Sequence, residues 1–266
     1  MNDQNQNERQ LKAKVQDVFG ANAEKYVASE IHSKQSDLDQ IVEWLQPQKD
    51  WRVLDIATGG GHVAKALAGN VGTVYAADLT RKMLEAAKKH LDESGCENVM
   101  YVVADAERLP FLDGVFDAVT CRIAPHHFPH PERFVAEAAR VLKPGGRMIL
   151  IDNVAPEDDD LAAYMNKVEQ LRDRSHVRCA KVSEWSAWLT QAGMIEERSL
   201  QRRKEFKFPT WVLRTAEDAD QPAEVEAFVL SGGAKEHAYF DVKTEAGRVQ
   251  SFEIDEWMGM FRKACV

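Results

Sequence analysis

The residues with the clearest chemical potential form one run, Val53-Leu-Asp-Ile-Ala-Thr-Gly-Gly-Gly-His-Val-Ala64. Gly59, Gly60 and Gly61 lack a Cβ, which permits positive φ and lets a ligand approach the backbone closely. Gly59-x-Gly61-x-x-Ala64 also fits the G-x-G-x-x-G/A fingerprint of dinucleotide binding. The loop alone therefore does not choose between nucleotide ligands. Asp55, just before it, would repel a pyrophosphate. It can organise loop amides or, through water, meet a cationic amino-acid group. Asp78 ends the next apolar run, where a carboxylate suits a ribose diol. Asp105, in Ala104-Asp-Ala106, is placed to accept a hydrogen bond from an adenine amino group.

Further along lie His126, His127 and His130. No cysteine joins them, and adjacent histidines on a regular element do not generally reach one ion, so no metal is expected. Either His126 or His127 could face a substrate as a general base with a pKa near neutral. Asp152 and Asn153 fall at the end of an apolar run on the same expected edge. His176 and Arg178 come from a region expected to cap the pocket. An arginine there suits an anionic substrate or, equally, a surface ion pair.

These residues need elements to hold them. Runs at 52–57, 71–78, 99–103, 116–122 and 147–152 read as strands. They alternate with helical patterns at 61–69, 81–94 and 131–142, and Thr80 can cap the second. Such alternation implies right-handed βαβ units and a mostly parallel sheet covered on both faces. Ligands of such sheets bind at the carboxyl ends of the strands, at the switch point. Residues 9–48 read as a helical N-terminal lid and residues 1–8 as a polar disordered tail. Residues 157–266 read as a cap and the rest of the same domain. Within them 161–172, 183–192, 209–231 and 255–263 are expected as helices, and 195–200, 205–208 and 249–254 as strands.

Five segments then carry a family resemblance: Val53-Leu-Asp…Gly61, Asp78-x4-Met83, Asp105-Ala-Glu-x-Leu-Pro-Phe111, Phe116-Asp-x-Val119 and Arg140-Val-Leu-Lys-Pro-Gly-Gly146. In order and spacing they resemble class I S-adenosylmethionine (SAM)-dependent methyltransferases of the ubiquinone/menaquinone-biosynthesis type. Cys121-Arg-x-Ala-x-His-His-Phe128 and Leu171-Arg-Asp-Arg-Ser-His-Val-Arg178 are similar to the YcgJ-like bacterial methyltransferases of that group. The resemblance covers residues 50–155 well and 15–200 in part. It departs at Ala57, where glycine is more usual.

The resemblance implies an α/β, Rossmann-like, doubly wound, mostly parallel sheet with an N-terminal helical lid and a C-terminal α+β extension. It implies SAM as cofactor. Asp55, Ala57, Gly59 and Gly61 would hold its methionine end and Asp78 its ribose. Leu79 and Met83 would pack on adenine, with Asp105 and Ala106 at its edge. Arg122 would contribute near the methionine moiety through its backbone, and Tyr26 would belong to the lid. The acceptor is expected to be a small molecule, aromatic or quinone-like. A nicotinamide-dependent oxidoreductase and a non-catalytic SAM-binding protein are the alternatives.

Composition sets the outer limits. A chain of 266 residues with 44% hydrophobic residues can bury a core without disulfides or metals. A net charge of −9 argues against general nucleic-acid affinity. The run Arg202-Arg-Lys204 reads as a solvated surface. No stretch approaches a membrane span, the N-terminus lacks an apolar signal segment, and the four cysteines form no CxxC pair. The expectation is a cytoplasmic protein with reduced thiols, monomeric or homodimeric.

Overall fold

In this computed structural model the backbone is described for residues 2–27 and 35–265, and side chains for 6–24 and 36–265. Strands β1 (Arg52–Ile56), β2 (Thr73–Asp78), β3 (Val99–Val103), β4 (Phe116–Arg122) and β5 (Leu142–Val154) run parallel. Two long strands, β6 (Met194–Lys207) and β8 (Arg248–Lys263), complete the order β3-β2-β1-β4-β5-β8-β6. Strand β8 lies antiparallel between β5 and β6, and the short β7 (Lys243–Glu245) pairs with it. The chain reverses its direction of travel across the sheet between β1 and β4, which opens a crevice at their carboxyl ends.

The central strands are buried on both faces because helices cover both. Val53, Leu54, Asp55 and Ile56 are each at most 1% exposed. Alternate residues serve opposite cores. Leu54, Ile56, Val119 and Cys121 pack with α5 (Pro131–Val141) and α7 (Val182–Gln191). Val53, Ala118 and Ile151 pack with α2 (Gln35–Leu45) and α3 (His62–Ala68). A third cluster joins the far ends of β6 and β8 to α6 (Asp159–Arg172), α8 (Phe208–Leu213) and α9 (Gln221–Leu230). Trp185, Trp211 and Trp257 are core residues there and in the first cluster. Helices α4 (Arg81–Glu93) and α10 (Ala234–Tyr239) complete the described elements with α1 (Asn2–Val27).

Several boundaries differ from expectation. Residues 2–8, expected as a tail, form the first turns of α1. The helix expected over 255–263 is the second half of β8. Trp257, Met258, Met260 and Phe261 are all buried, and a strand buried on both faces has no alternation to distinguish it from a buried helix. Gly259 also lies mid-run, where its missing Cβ admits the Phe261 and Trp257 rings. The two strands expected over 195–208 are one edge strand, mostly polar because its outer residues meet solvent. The helix expected over 209–231 divides into α8 and α9, with Pro222 in the first turn of α9.

Candidate functional site

The turn after β1 takes its shape from left-handed residues: Ala57 (φ 52°), Gly59 (φ 55°) and Gly61 (φ 80°). Asp55 braces it from below. Its carboxylate is buried and accepts from the Thr58 hydroxyl at 2.6 Å and the Thr120 hydroxyl at 2.8 Å. Burial pushes its pKa up to about 6, against the pull of those two hydroxyls and of the Arg122 charge. At the end of β2, Asp78 accepts from the Gly59 amide at 3.1 Å and the Thr80 amide at 2.8 Å. Burial raises it to about 6 as well, with the two amides opposing. Asp78 thus ties the glycine turn to the start of α4.

These residues open on one cavity of about 1000 Å³, including its solvent-open part. Asp55, Ala57, Gly59, Asp78, Leu79, Met83, Asp105, Ala106, Arg122 and His127 all line it. Gly61 is absent from the lining. It starts α3, and a Cβ there would press on Leu91 at 3.0 Å. Helix α1 crosses the mouth and contributes Lys12, Val15 and Phe19. The Lys12 ammonium stands 2.7 Å from each of Glu8, Asp105 and Glu107, the place a cation would take among three carboxylates. The Gln16 amide donates to the Leu79 carbonyl at 2.9 Å. Tyr26 is in α1, but its side chain lies outside the described residues.

Beyond β4 the chain enters a left-handed residue, Ile123 (φ 52°), and a short 3-10 turn over Pro125–His127. His126 turns into the protein, where Nδ1 lies 2.7 Å from an Asp152 oxygen and the His126 amide donates to the other at 2.9 Å. Burial draws the His126 pKa down, but the Asp152 carboxylate outweighs it and the net shift is upward. His127 lines the cavity, with Nδ1 3.0 Å from the Ser175 carbonyl. Donation of Nδ1–H to that carbonyl leaves Nε2 as an acceptor. Burial, then the neighbouring His126, lowers the His127 pKa to about 3. The Phe19 ring meets His127 edge-on at 4.9 Å.

The two expected substrate residues part company. His176 is buried beside His126, ring centroids 5.5 Å apart, with Nε2 3.1 Å from the Asn166 side-chain oxygen. Arg178 turns to Glu184 at 2.7 Å, half-exposed and outside the cavity lining. The Arg202-Arg-Lys204 run is not a solvated surface. Strand β8 sets Glu253, Asp255 and Glu256 beside it, and Arg202 reaches both Glu256 and the buried Asp37. Sequence reasoning missed Lys12, Thr120 and Asp37. Lys12 meets Asp105 and Glu107, Thr120 meets Asp55, and Asp37 meets Arg122 and Arg202, each across 65 or more residues, and no local pattern marks them.

Known proteins agree with this arrangement. A methyltransferase-domain family profile matches residues 54–150, the span from β1 to β5. An uncharacterized methyltransferase of Bacillus subtilis, YcgJ, is 37% identical over 208 residues, 78% of this chain and 82% of that protein. A solved methyltransferase structure from Bacillus halodurans superposes with a TM-score of 0.84 at 41% identity, covering 86% of this chain and 99% of that one. The ubiquinone/menaquinone-biosynthesis C-methyltransferase UbiE of Pseudomonas aeruginosa is 35% identical over 169 residues, 60% of this chain and 65% of its own length. The parallel sheet, the switch-point cavity and these relatives agree: the chain belongs to the SAM-dependent methyltransferases, in the family that includes YcgJ, and SAM is its cofactor.

Proposed function

We propose that this enzyme methylates a small acceptor with an apolar, aromatic or quinone-like body, and that the cavity at the β1–β4 switch point is where it does so. The observation that carries the reading is the sorting of groups around that cavity. The strand order β3-β2-β1-β4 sets Asp55 on β1 and Arg122 on β4 at one end of the lining, Asp78 at the end of β2 in the middle, and Asp105 and Ala106, just past β3, at the other. That order fits an amino acid, a ribose and an adenine in sequence. Asp55, Ala57 and Gly59, on the turn that Gly61 closes, hold the methionine part. Asp78, with lone pairs remaining beyond its two amide bonds, accepts from the ribose hydroxyls. Leu79 and Met83 pack on adenine, while Asp105 and Ala106 meet its edge. Tyr26 belongs to the helix that covers the site.

SAM supplies an electrophilic methyl group on a sulfonium, so the protein's work is chiefly positioning. Phe19, Ile123, Phe128 and Pro129 give the acceptor an apolar wall. The UbiE likeness supports a quinone-like body. His127 accepts a hydrogen bond from the acceptor through Nε2. His126, paired with Asp152, lies behind it at a ring-centroid distance of 4.2 Å, and burial, reinforced by His126, keeps His127 neutral. His176 buttresses the pair, and Arg178 orients the cap from outside. Calorimetry with SAM, followed by S-adenosylhomocysteine release across phenols and hydroquinones, tests this. Turnover confined to hydrophilic amines would overturn the acceptor assignment.

A further inference from the structure

The methionine end of SAM is a zwitterion, and the Asp55 end of the cavity offers charges of both signs. Thr120 reaches Asp55 with its hydroxyl, and Arg122, two residues on, lies on the same face of β4. The Arg122 guanidinium is within electrostatic range of Asp55, and its side chain is only 5% exposed. It is held by Asp37, in the first turn of α2, whose carboxylate is 0% exposed. One Asp37 oxygen meets Arg122 Nη2 at 3.1 Å and the other meets Arg202 Nη2 at 2.8 Å. Arg202 continues to Glu256 at 2.7 Å, and Glu256 takes Lys204 at 2.8 Å.

Among the described residues this row joins Arg122, Arg202 and Lys204 through Asp37 and Glu256. Arg122 is the member of this row that lines the cavity. Taking charges out of water is costly unless a geometry returns the energy. A row that only fastened α2 to the sheet would have no need to end at the cofactor cavity.

Resting on the SAM reading above, we propose that Asp37 is a positioning residue: it fixes the Arg122 guanidinium so that Arg122 receives the α-carboxylate of the cofactor. The guanidinium, rather than the Arg122 backbone, is then the contact. Asp55 faces the α-ammonium, so the two ends of the zwitterion meet opposite charges.

The test compares SAM with decarboxylated SAM, which keeps the adenosine, sulfonium and amino group and lacks only the carboxylate. Wild-type protein is expected to prefer SAM by roughly tenfold or more, the scale of one charge-assisted hydrogen bond. Arg122→Met should erase that preference by weakening SAM alone, leaving decarboxylated SAM within about twofold. Asp37→Asn should reduce the preference in the same way, and Asp37→Glu should restore part of it. A purely structural role would weaken both ligands in parallel. Parallel loss, or an undiminished preference in Arg122→Met, overturns the proposal. The Arg122 variant decides the matter if Asp37→Asn does not fold. Failure of the wild type to bind either ligand would instead overturn the cofactor site itself.

Discussion

Lys12 in the lid helix and Asp105 after β3 are 93 residues apart in sequence, yet Lys12 Nζ lies 2.7 Å from Asp105 Oδ2. The contact closes α1 over the end of the cavity proposed to take adenine. It also engages the carboxylate expected to read adenine, so lid and cofactor meet at one group. The side chains are 16% and 31% exposed, which tempers the strength of this ion pair. Glu107, with its side chain 3% exposed, depends on Lys12 more. Lys12→Ala is expected to cost about 1–2 kcal/mol, largely from the buried Glu107 carboxylate left without its cation. Urea unfolding measures that loss. Limited proteolysis should show α1 cleaved earlier, and an unchanged cleavage rate would mean that α1 is held by other contacts.

With Asp78 as the proposed ribose acceptor, SAM binding is expected to depend on pH. The Asp78 pKa in the free protein is about 6, and a ribose needs the ionised acceptor. SAM affinity should therefore be flat above about pH 7 and fall as the pH drops through 6. Stability of the ligand-free protein runs the other way. The folded state takes up protons on Asp55 and Asp78 between pH 6 and 4, where the unfolded chain has not yet done so, and acidification there is favourable for these two groups. Asp78→Ala should weaken SAM by about 1–3 kcal/mol at pH 7.5 and flatten the acid limb. Calorimetry at several pH values reads both.

The pair His126–Asp152 should appear in the rate profile. Asp152 raises the His126 pKa above 6.5, so the charged pair adds stability at low pH and that share is lost as pH rises through the folded pKa. Asp152→Asn removes the main opposition to burial, leaving only the Glu169 and Asp173 charges, and should move the His126 titration down. If deprotonation of this pair limits turnover, the rising limb of kcat/KM shifts to lower pH in the variant. An immobile limb would remove His126 from the proton chemistry.

Ala57 adopts φ 52° where a glycine would be at ease. Left-handed backbone costs a side-chain-bearing residue roughly 1–2 kcal/mol, and glycine loses roughly 0.5–1 kcal/mol to chain entropy. Ala57→Gly should thus change stability by less than about 1 kcal/mol. Ala57→Val, branched at Cβ, should cost about 1–3 kcal/mol. Thermal unfolding of the two variants checks the contrast.

Gly259 in β8 has no room for a methyl group. A Cβ there would meet the Phe261 ring, with its Cζ at 2.7 Å, and Trp257 Cζ2 at 2.9 Å. Gly259→Ala should destabilise by about 1–3 kcal/mol through overpacking of this buried strand. A neutral result by denaturant titration would show that the two rings can step aside.

The local sequence already contained the parallel half of the fold and most of the cavity wall. Strand ends that carry Asp55, Asp78 and Arg122, or are followed by Asp105, are features of single segments, and alternating strands and helices bring such ends to one edge whatever the rest does. The second half was legible only in parts. Strand β8 is sandwiched between β5 and β6 and buried on both faces, so its hydrophobic pattern lost the period that identifies a strand. Tertiary structure alone decided which charges meet. Lys12 with Asp105, Asp37 with Arg122 and Arg202, and His126 with Asp152 join residues 26 to 165 apart. Charge attraction has no sequence period, so such pairs become visible only when the chain has packed. The same packing separated His127, on the cavity wall, from Arg178, turned to Glu184.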